Sequence, residues 1–287
     1  MTAALPIRSA LLVAGHDEER LRAAAESAAD AVYVDLEGGV PRADLARARV
    51  LVDTHAHRLT DAAKLVVVRV NPIASGETAD DVATAVRAGV YGIALAKIER
   101  PGDVAIVDRL LAAAEADAGR ERGTVVVHPL IESARAVHEA YGIACASTRV
   151  AHMGGIVAPG GDLARSIGFR GTPTGRETEF VRARVLVDAR AAGVRFPLGG
   201  IPIGRDRSAV RRFAEDARDL GYEGLLIGAR SHAPVVNEVF TPTADDVDRW
   251  RRLASGDGAG RREPDVATVA WARERLAVAE RFGVPTG

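Results

Sequence analysis

Short apolar runs alternate with longer amphipathic stretches along most of this chain. The runs are rich in β-branched and aliphatic residues, which is typical of strands buried on both faces of a parallel sheet. In the stretches between them, apolar residues recur every three or four positions, which predicts helices. The predicted strands cover residues 9–15, 31–37, 64–70, 92–97, 124–132, 149–155, 196–203 and 223–229.

Eight strands with intervening helices predict a (β/α)8 TIM barrel, because eight parallel strands are the number that closes such a barrel. An open doubly wound sheet is the alternative. A nucleotide-binding sheet of that kind carries a G-x-G-x-x-G turn after its first strand, whereas residues 13–18 read VAGHDE. We therefore predict an α/β fold in which residues 1–255 form the barrel and its catalytic site.

The remaining residues, 256–287, are predicted to form a linker and a C-terminal helical extension. Just before them, Thr241 or Thr243 can cap a helix that ends near the linker, since threonine side chains accept from free amides at helix starts. The segment GDGAGRREP, residues 256–264, reads as flexible, and residues 265–283 read as the last helix.

Composition narrows the classes of function. Lysine and arginine total 38 against 39 acidic residues, a net charge of -1, which argues against a broad nucleic-acid surface. No apolar run approaches the ~18 residues of a membrane span, and the N-terminus lacks the pattern of a signal peptide. Cys145 is the only cysteine, so no internal disulfide can form. We expect a soluble, cytoplasmic protein that binds neither nucleic acid nor membrane.

Polar residues gather at the C-terminal ends of the predicted strands, where barrel enzymes place their chemistry. They are Asp35 and Glu37 after the second strand, Arg69 and Asn71 after the third, Lys97 and Glu99 after the fourth, Glu132 after the fifth and Asp162 after the sixth. Within this set we expect Asp35 to contribute to substrate binding.

Glu132 and Asp162 lie about one βα unit apart and should face each other across the barrel mouth. A buried carboxylate is costly without a partner, and Mg2+ commonly takes one or two carboxylates. The pair therefore predicts a Mg2+ site. Two simpler interpretations stay open: Glu132 could form a structural ion pair with Arg69, and Asp162 could cap the helix that follows it.

Arg69 would place a second positive group beside the metal. A guanidinium holds a carboxylate or enolate through two parallel hydrogen bonds. A metal and an arginine together suit the binding of a 2-oxo acid and the stabilisation of an enolate. Two further residues have simple structural interpretations. Lys97 could be a solvated charge at the rim of the barrel. His128 is predicted to be a buried core histidine with its hydrogen bonds satisfied.

Several segments occur together in a known order. They are RSALLVAG, ADAVYVDLEGGVP, VVVRVNP, GIALAKIE, VHPLIESARAV, GGDLARSIG and VNEVFTP. In this combination the chain resembles the HpcH/HpaI aldolase and citrate lyase β-subunit superfamily, in particular its CitE-like branch. The similarity runs from about residue 8 to 255.

The resemblance implies a (β/α)8 barrel that assembles as a trimer or hexamer. It implies Mg2+-dependent cleavage or formation of carbon–carbon bonds in 3-hydroxy acids or their coenzyme A thioesters. Glu132 and Asp162 would be the metal ligands, and Arg69 would hold the oxo acid and steady the enolate. Glu37 would be catalytic beside the metal-bound waters, and Lys97 would bind substrate at the rim.

The resemblance also places Asp265 at an acid/base position that reaches a neighbouring subunit's site, although by its position Asp265 is more simply an N-cap of the last helix. The chain departs from the family pattern at Gly38, where a second acid is usual, and at residues 224–230, which read GLLIGAR. We predict a lyase for a 3-hydroxyacyl-CoA thioester such as malyl-CoA or a citryl-CoA-like substrate. A pyruvate-type aldolase without coenzyme A, an acyl-CoA thioesterase and a non-catalytic binding subunit remain alternatives.

Overall fold

A computed structural model describes residues 4–155, 157–158, 160–172, 174–202, 204, 206–256 and 264–285. The chain divides into two compact units, Met1–Val239 and Phe240–Gly287. The described residues of the first unit form eight parallel strands. They are β1 (Ser9–Ala14), β2 (Ala31–Asp35), β3 (Leu65–Val70), β4 (Gly92–Leu95), β5 (Val126–Ile131), β6 (Gly154–Gly155), β7 (Leu198–Gly199) and β8 (Gly224–Ile227).

Helices follow the strands along the chain. They are α1 (Glu18–Ala25), α2 (Leu45–Asp61), α3 (Thr78–Arg87), α4 (Pro101–Asp117), α5 (Ala134–His138), α6 (Ala140–Cys145), α7 (Asp162–Ile167), α8 (Arg176–Ala191), α9 (Arg207–Leu220), α10 (Ala233–Phe240), α11 (Ala244–Ala254) and α12 (Val266–Arg281). The predicted (β/α)8 barrel with a helical C-terminal part is confirmed. The domain boundary predicted at residue 255 stays a prediction.

The strands pair in the order β6-β5-β4-β3-β2-β1-β8-β7, and β6 and β7, at the two ends of this order, approach each other so that the barrel is nearly closed. At this seam the amide of Leu198 donates to the carbonyl of Met153 at 3.1 Å. A Cβ on Gly154 would lie 1.6 Å from the Leu198 carbonyl oxygen, so only glycine allows the two strands to meet. The predicted sixth and seventh strands are therefore real, but each is reduced to two residues.

The interior of the barrel is filled by alternate side chains of the strands other than β6, which consists of two glycines. Its buried cluster includes Tyr33, Val67, Ala94, Leu130 and Leu226.

A pair of buried histidines adds polar atoms to this interior. Nδ1 of His128 lies 2.8 Å from the hydroxyl of Tyr33, and Nδ1 of His152 lies 2.9 Å from the Phe196 carbonyl. Burial lowers the pKa of His128 well below its ordinary value and that of His152 to about 4. Both side chains are therefore neutral at pH 7. His128 is a core histidine as predicted, but only its Nδ1 is satisfied, since the buried Nε2 has no hydrogen-bond partner among the described residues.

A buried ion pair lies at the N-terminal end of β5. Glu115, on α4, accepts two hydrogen bonds from the guanidinium of Arg149, at 2.8 and 2.6 Å. It also accepts from the amides of Gly123 and Val125 and from the hydroxyl of Thr124. These donors all bond to the carboxylate of Glu115, so its negative charge is compensated although the side chain is buried.

The second unit pairs α11 with α12 around a small core of Val247, Trp250, Ala272 and Ala279. Thr243 caps α11 as predicted: its hydroxyl accepts from the amide of Asp246, whose carboxylate accepts in return. The predicted helix at 265–283 is also found, whereas most of the predicted linker, 257–263, lies outside the described residues. Across the described part of the chain, no helix is long and apolar enough to cross a lipid bilayer.

Candidate active site

Asp35 and Arg69 form the core of a polar cluster at the C-terminal ends of β2 and β3. The two residues are register partners on neighbouring parallel strands. The guanidinium donates from Nε to Oδ1 and from Nη2 to Oδ2, both at 2.7 Å. This two-point geometry fixes the plane of the arginine as well as its position.

The turn after β2 completes the hydrogen bonding of Asp35. The amides of Glu37 and Gly39 donate to its two oxygens at 2.9 and 2.7 Å. A Cβ on Gly39 would lie 2.6 Å from Oδ2, so glycine is needed for the backbone to approach this closely. Asp35 thus supports Arg69 with both oxygens engaged, and its predicted contact with substrate stays a prediction.

Arg69 is surrounded by acidic groups. Nη2 lies 3.6 Å from Oε2 of Glu37. Burial alone would lower the pKa of Arg69, but the hydrogen bond and charge of Asp35 and the charges of Glu37 and Glu132 together raise it. The guanidinium therefore stays positively charged at the mouth of the barrel, where an anionic substrate would meet it.

Lys97 joins this cluster from the end of β4. Its Nζ lies 2.6 Å from Oε1 of Glu37, while the side chain remains half exposed at the rim. The hydrogen bond that Lys97 donates to Glu37 raises the pKa of Lys97 despite partial burial, and the charges of Glu37, Asp162 and Glu132 act in the same direction. The rim position agrees with the sequence-based expectation, but Lys97 is ion-paired rather than simply solvated.

Lys97 also lines a cavity of about 380 Å³. Apolar side chains such as Val70, Leu95, Ile98 and Val107 form much of its wall. The cavity adjoins the polar cluster through this shared lysine.

Glu132 follows β5 directly and is 5% exposed. Its Oε2 accepts from the main-chain amide of Lys97 at 3.1 Å. Burial raises the pKa of Glu132 to about 7, although the charge of Arg69 and the amide of Lys97 oppose that rise, and the nearby acids Glu37 and Asp162 add to it. The protein therefore neutralises this carboxylate only in part.

Asp162 is the first residue of α7 and lies close enough to raise the pKa of Glu132. The N-cap residue is Gly161, so the capping role considered for Asp162 is not the one found. Its Oδ1 lies 2.6 Å from Nη2 of Arg165, one turn along the same exposed face. The structure thus brings the two predicted ligands to one region, with Asp162 on the solvent side.

Asp265 belongs to the second unit. Its Oδ1 accepts from the amide of Thr268 at 2.7 Å, which makes it the N-cap of α12. These bonds lower the pKa of the Asp265 carboxylate. The capping alternative is confirmed, and the predicted acid/base role stays a prediction.

The donor set fits a magnesium ion. Glu132 offers a buried, incompletely neutralised carboxylate, and Asp162 offers a second carboxylate near it. Mg2+ commonly takes one or two carboxylates and completes its octahedron with water and substrate oxygens. Within the described ranges, no group of three or more His, Cys, Asp or Glu side chains is arranged to hold a metal. Any ion here would rely on those two acids and on oxygens from outside the protein.

Sequence reasoning missed two supports of the site. The paired glycines at 38–39 signal a turn, but not that the Gly39 amide bonds to Asp35. The amide of Lys97 gave no signal at all, because hydrogen bonding by the main chain does not depend on residue type.

The sequence comparison identifies the family. A family model described as HpcH/HpaI aldolase/citrate lyase matches residues 8–228. The chain belongs to this family. Like its relatives it is a lyase- or aldolase-family enzyme. The resemblance drawn from the motifs is thereby confirmed.

Individual relatives agree with this assignment. The chain is 31% identical over 261 residues to citrate lyase subunit beta of Haemophilus influenzae, covering 88% of each chain. It is 27% identical over 288 residues to a (3S)-malyl-CoA thioesterase of Cereibacter sphaeroides, covering 96% of this chain and 95% of that one. The CitE protein of Mycobacterium tuberculosis, solved with magnesium and acetoacetate, gives a TM-score of 0.66 at 26% identity, over 84% of this chain and 92% of that one.

Proposed function

We propose that this enzyme is a Mg2+-dependent carbon–carbon lyase for a 3-hydroxyacyl-CoA thioester of the malyl-CoA or citryl-CoA kind. The observation that carries the proposal is Glu132, a carboxylate that is 5% exposed and held by one backbone amide beside the charged pair of Arg69 and Asp35. A buried carboxylate so poorly neutralised needs a cation. In the relative from Mycobacterium tuberculosis, magnesium and acetoacetate are bound together.

The ion would be held by Glu132 and Asp162, with water and substrate oxygens completing its shell. When bound, Mg2+ supplies a Lewis acid that draws electron density from the oxygens of a 2-oxo or 2-hydroxy acid. Arg69 supplies a second binding group for the substrate. Its Nη1 is not engaged by Asp35, which uses Nε and Nη2. The guanidinium can therefore bind a substrate carboxylate without giving up its own support.

The reaction is a retro-aldol cleavage or its reverse. A base takes the proton from the hydroxyl of the substrate, the carbon–oxygen double bond forms, and the adjacent carbon–carbon bond breaks. The electron pair of that bond passes into an enolate, which is then protonated to the second product. For a CoA thioester the enolate lies on the acetyl group, and positive charge from Arg69 favours the anionic stage.

Glu37 and Asp265 are the proposed acid/base residues. Glu37 lies between Lys97 at 2.6 Å and Arg69 at 3.6 Å, so it can receive or pass a proton within the cluster. The role of Asp265 rests on the family pattern and on assembly with a neighbouring subunit. Assembly as a trimer or hexamer is part of the proposal.

A thioesterase is the second candidate. The (3S)-malyl-CoA thioesterase of Cereibacter sphaeroides matches over 96% of this chain, so its resemblance is not limited to the barrel. A thioesterase would use the same grip on the hydroxy acid and would direct a water molecule at the thioester carbonyl. Lyase and thioesterase therefore differ in which bond breaks, and the products distinguish them.

The test is a panel of malyl-CoA, citryl-CoA and methylmalyl-CoA with free 4-hydroxy-2-oxo acids, each incubated with Mg2+ or with EDTA. Products are identified by mass. Acetyl- or propionyl-CoA together with an oxo acid supports the lyase, whereas free CoA with an intact hydroxy acid supports the thioesterase. Turnover of the free acids alone would indicate an aldolase without coenzyme A. Turnover that is equal in EDTA and in Mg2+, or that persists in Glu132→Ala, would contradict the proposal.

A further inference from the structure

Lys97 has a backbone conformation that its residue type disfavours. Among the described residues, the only two non-glycine residues with positive φ are Ala63, at 59°, and Lys97, at 51°. The conformation of Ala63 has a local cause, because this residue lies just after the C-terminal end of α2. Its amide donates to the carbonyl oxygen of Thr60, and the amide of Lys64 donates to the carbonyl oxygen of Leu59. Lys97 follows a strand, so no helix end accounts for its conformation.

The left-handed turn at Lys97 directs its amide at Glu132. Side chains alternate along β4, with Ala94 in the barrel interior and Leu95 facing the helices. A continued strand would keep alternating and pairing with β5. The turn instead ends the strand, and the Lys97 amide reaches Oε2 of Glu132 at 3.1 Å.

The side chain of the same residue reaches the other side of the site. Nζ of Lys97 lies 2.6 Å from Oε1 of Glu37, whose second oxygen lies 3.6 Å from Arg69. One residue therefore fixes both acids that flank the guanidinium, one through its main chain and the other through its amine. Backbone strain that persists in a folded protein is concentrated where the surroundings require it, often at functional sites.

We propose that Lys97 is a positioning residue, whose left-handed main chain aims the metal-binding carboxylate of Glu132. The metal part of this inference rests on the proposed function, while the contact between the amide and the carboxylate does not. The two contributions of Lys97 separate by substitution, since the amide belongs to every residue except proline and the amine belongs to lysine alone.

Three variants make the separation. Lys97→Gly removes the amine but accepts positive φ freely. Lys97→Val removes the same amine but, being β-branched, resists positive φ. Lys97→Met removes the amine and leaves an unbranched side chain. Comparing glycine with valine therefore holds the charge constant and changes the ease of the left-handed turn, while the methionine variant controls for the presence of an apolar side chain.

The measurement is Mn2+ affinity, by electron paramagnetic resonance on the free protein, so that no turnover is needed. We expect the glycine and methionine variants to bind at least as tightly as wild type, because a nearby positive charge is gone. We expect the valine variant to bind about 10- to 100-fold more weakly than the glycine variant, the usual effect of losing an outer partner of a metal ligand. Equal affinities in the valine and glycine variants would overturn the proposal.

A second measurement keeps the test decisive if wild type binds no Mn2+, a result that would instead refute the proposed function. The stability difference between Lys97→Gly and Lys97→Val is measured by denaturant unfolding, in the wild-type and Glu132→Ala backgrounds. A smaller difference in the Glu132→Ala background supports the amide–carboxylate contact, and an unchanged difference refutes it. Should Lys97→Val not fold, Lys97→Thr takes its place in both measurements, because threonine is also β-branched and resists positive φ.

Discussion

A buried carboxylate lies beside each end of strand β5, and the two differ in how far the surrounding groups neutralise their negative charge. Glu115, at the N-terminal end, is 0% exposed, and Glu132, at the C-terminal end, is 5% exposed. Burial by itself acts to raise the pKa of both carboxylates. For Glu115, bonds from Arg149 and from two backbone amides outweigh burial and lower the pKa to about 2. For Glu132 the opposing groups are too few, and the pKa rises to about 7.

This difference separates a structural carboxylate from a functional one. Depth does not distinguish them, because both are buried. What distinguishes them is the number and charge of the donors that surround each carboxylate. In barrels the N-terminal face serves stability and the C-terminal face serves chemistry. The two ends of one strand show that division at the level of single hydrogen bonds.

The largest expected effect comes from Glu132→Gln. Losing a metal ligand removes several kcal/mol of transition-state stabilisation, so we expect about a thousandfold lower kcat/KM with Mg2+. In EDTA the variant should unfold at a temperature no lower than wild type, because no buried charge is lost from a satisfied pair. Steady-state kinetics and thermal unfolding measure the two effects.

Glu99→Gln is the matched control for this variant, since Glu99 lies at the same edge of the barrel, two residues beyond Lys97. It should keep wild-type kinetics. A Glu132→Gln enzyme with normal kcat/KM would remove the distinction between the two ends of β5.

Glu115→Gln should show the reverse pattern. It leaves the guanidinium of Arg149 with only part of its neutralisation, through Asp108 at 2.7 Å. Breaking a buried pair from one side costs about 3 kcal/mol, which urea unfolding would measure. The kcat/KM per folded molecule should stay at the wild-type value, and a large fall in it would show that the floor of the barrel also controls the chemistry.

Asp35→Asn tests whether the mouth depends on orientation as well as charge. An amide can accept from one nitrogen of Arg69 but cannot match both donors, so the guanidinium should lose its fixed plane. We expect kcat/KM to fall about 10- to 100-fold, as for a misplaced binding group. Mn2+ affinity should change far less. A fall in metal affinity as large as the fall in rate would instead mean that Asp35 acts on the metal ligands.

The smallest effect is a pH dependence of stability that belongs to Glu115. Its pKa is about 2 in the folded protein and near 4.5 when unfolded. The stabilisation is therefore complete above about pH 4.5 and is lost as the pH falls toward 2. The stability gap between wild type and Glu115→Gln should shrink over that window in urea titrations at several pH values. A gap that stays constant would mean that the carboxylate does not titrate there.

The sequence predicted the barrel well where strands are long and apolar. β1 to β5 lie within their predicted ranges because β-branched runs of that length fit a buried parallel strand. The sixth and seventh strands were predicted too long. Gly154 meets the carbonyl oxygen of Leu198 where β6 approaches β7, and Gly199 meets the side chain of Leu225 on β8, so both short strands lie in tightly packed surroundings. Close packing between segments distant in sequence leaves little trace in a local pattern.

The sequence predicted which residues gather at the site, but not the hydrogen bonds between them. Strand ends placed Arg69, Glu132 and Asp35 at one edge, because parallel strands share their direction. The sequence did not reveal that Asp35 turns its oxygens to Arg69 and to the following turn. That outcome depends on how closely Gly39 approaches, which residue spacing does not encode. The left-handed Lys97 was unpredictable for the same reason, since lysine carries no preference for it.

Gly154 has a consequence for how this barrel can evolve. Even a single methyl group there would overlap the Leu198 carbonyl and force β6 away from β7. Loops at the rim can exchange residues and acquire new substrates without disturbing the strands, but this position tolerates no such drift. A lineage whose rim loops change to accept new substrates must therefore keep glycine at position 154, because the contact between β6 and β7 depends on it.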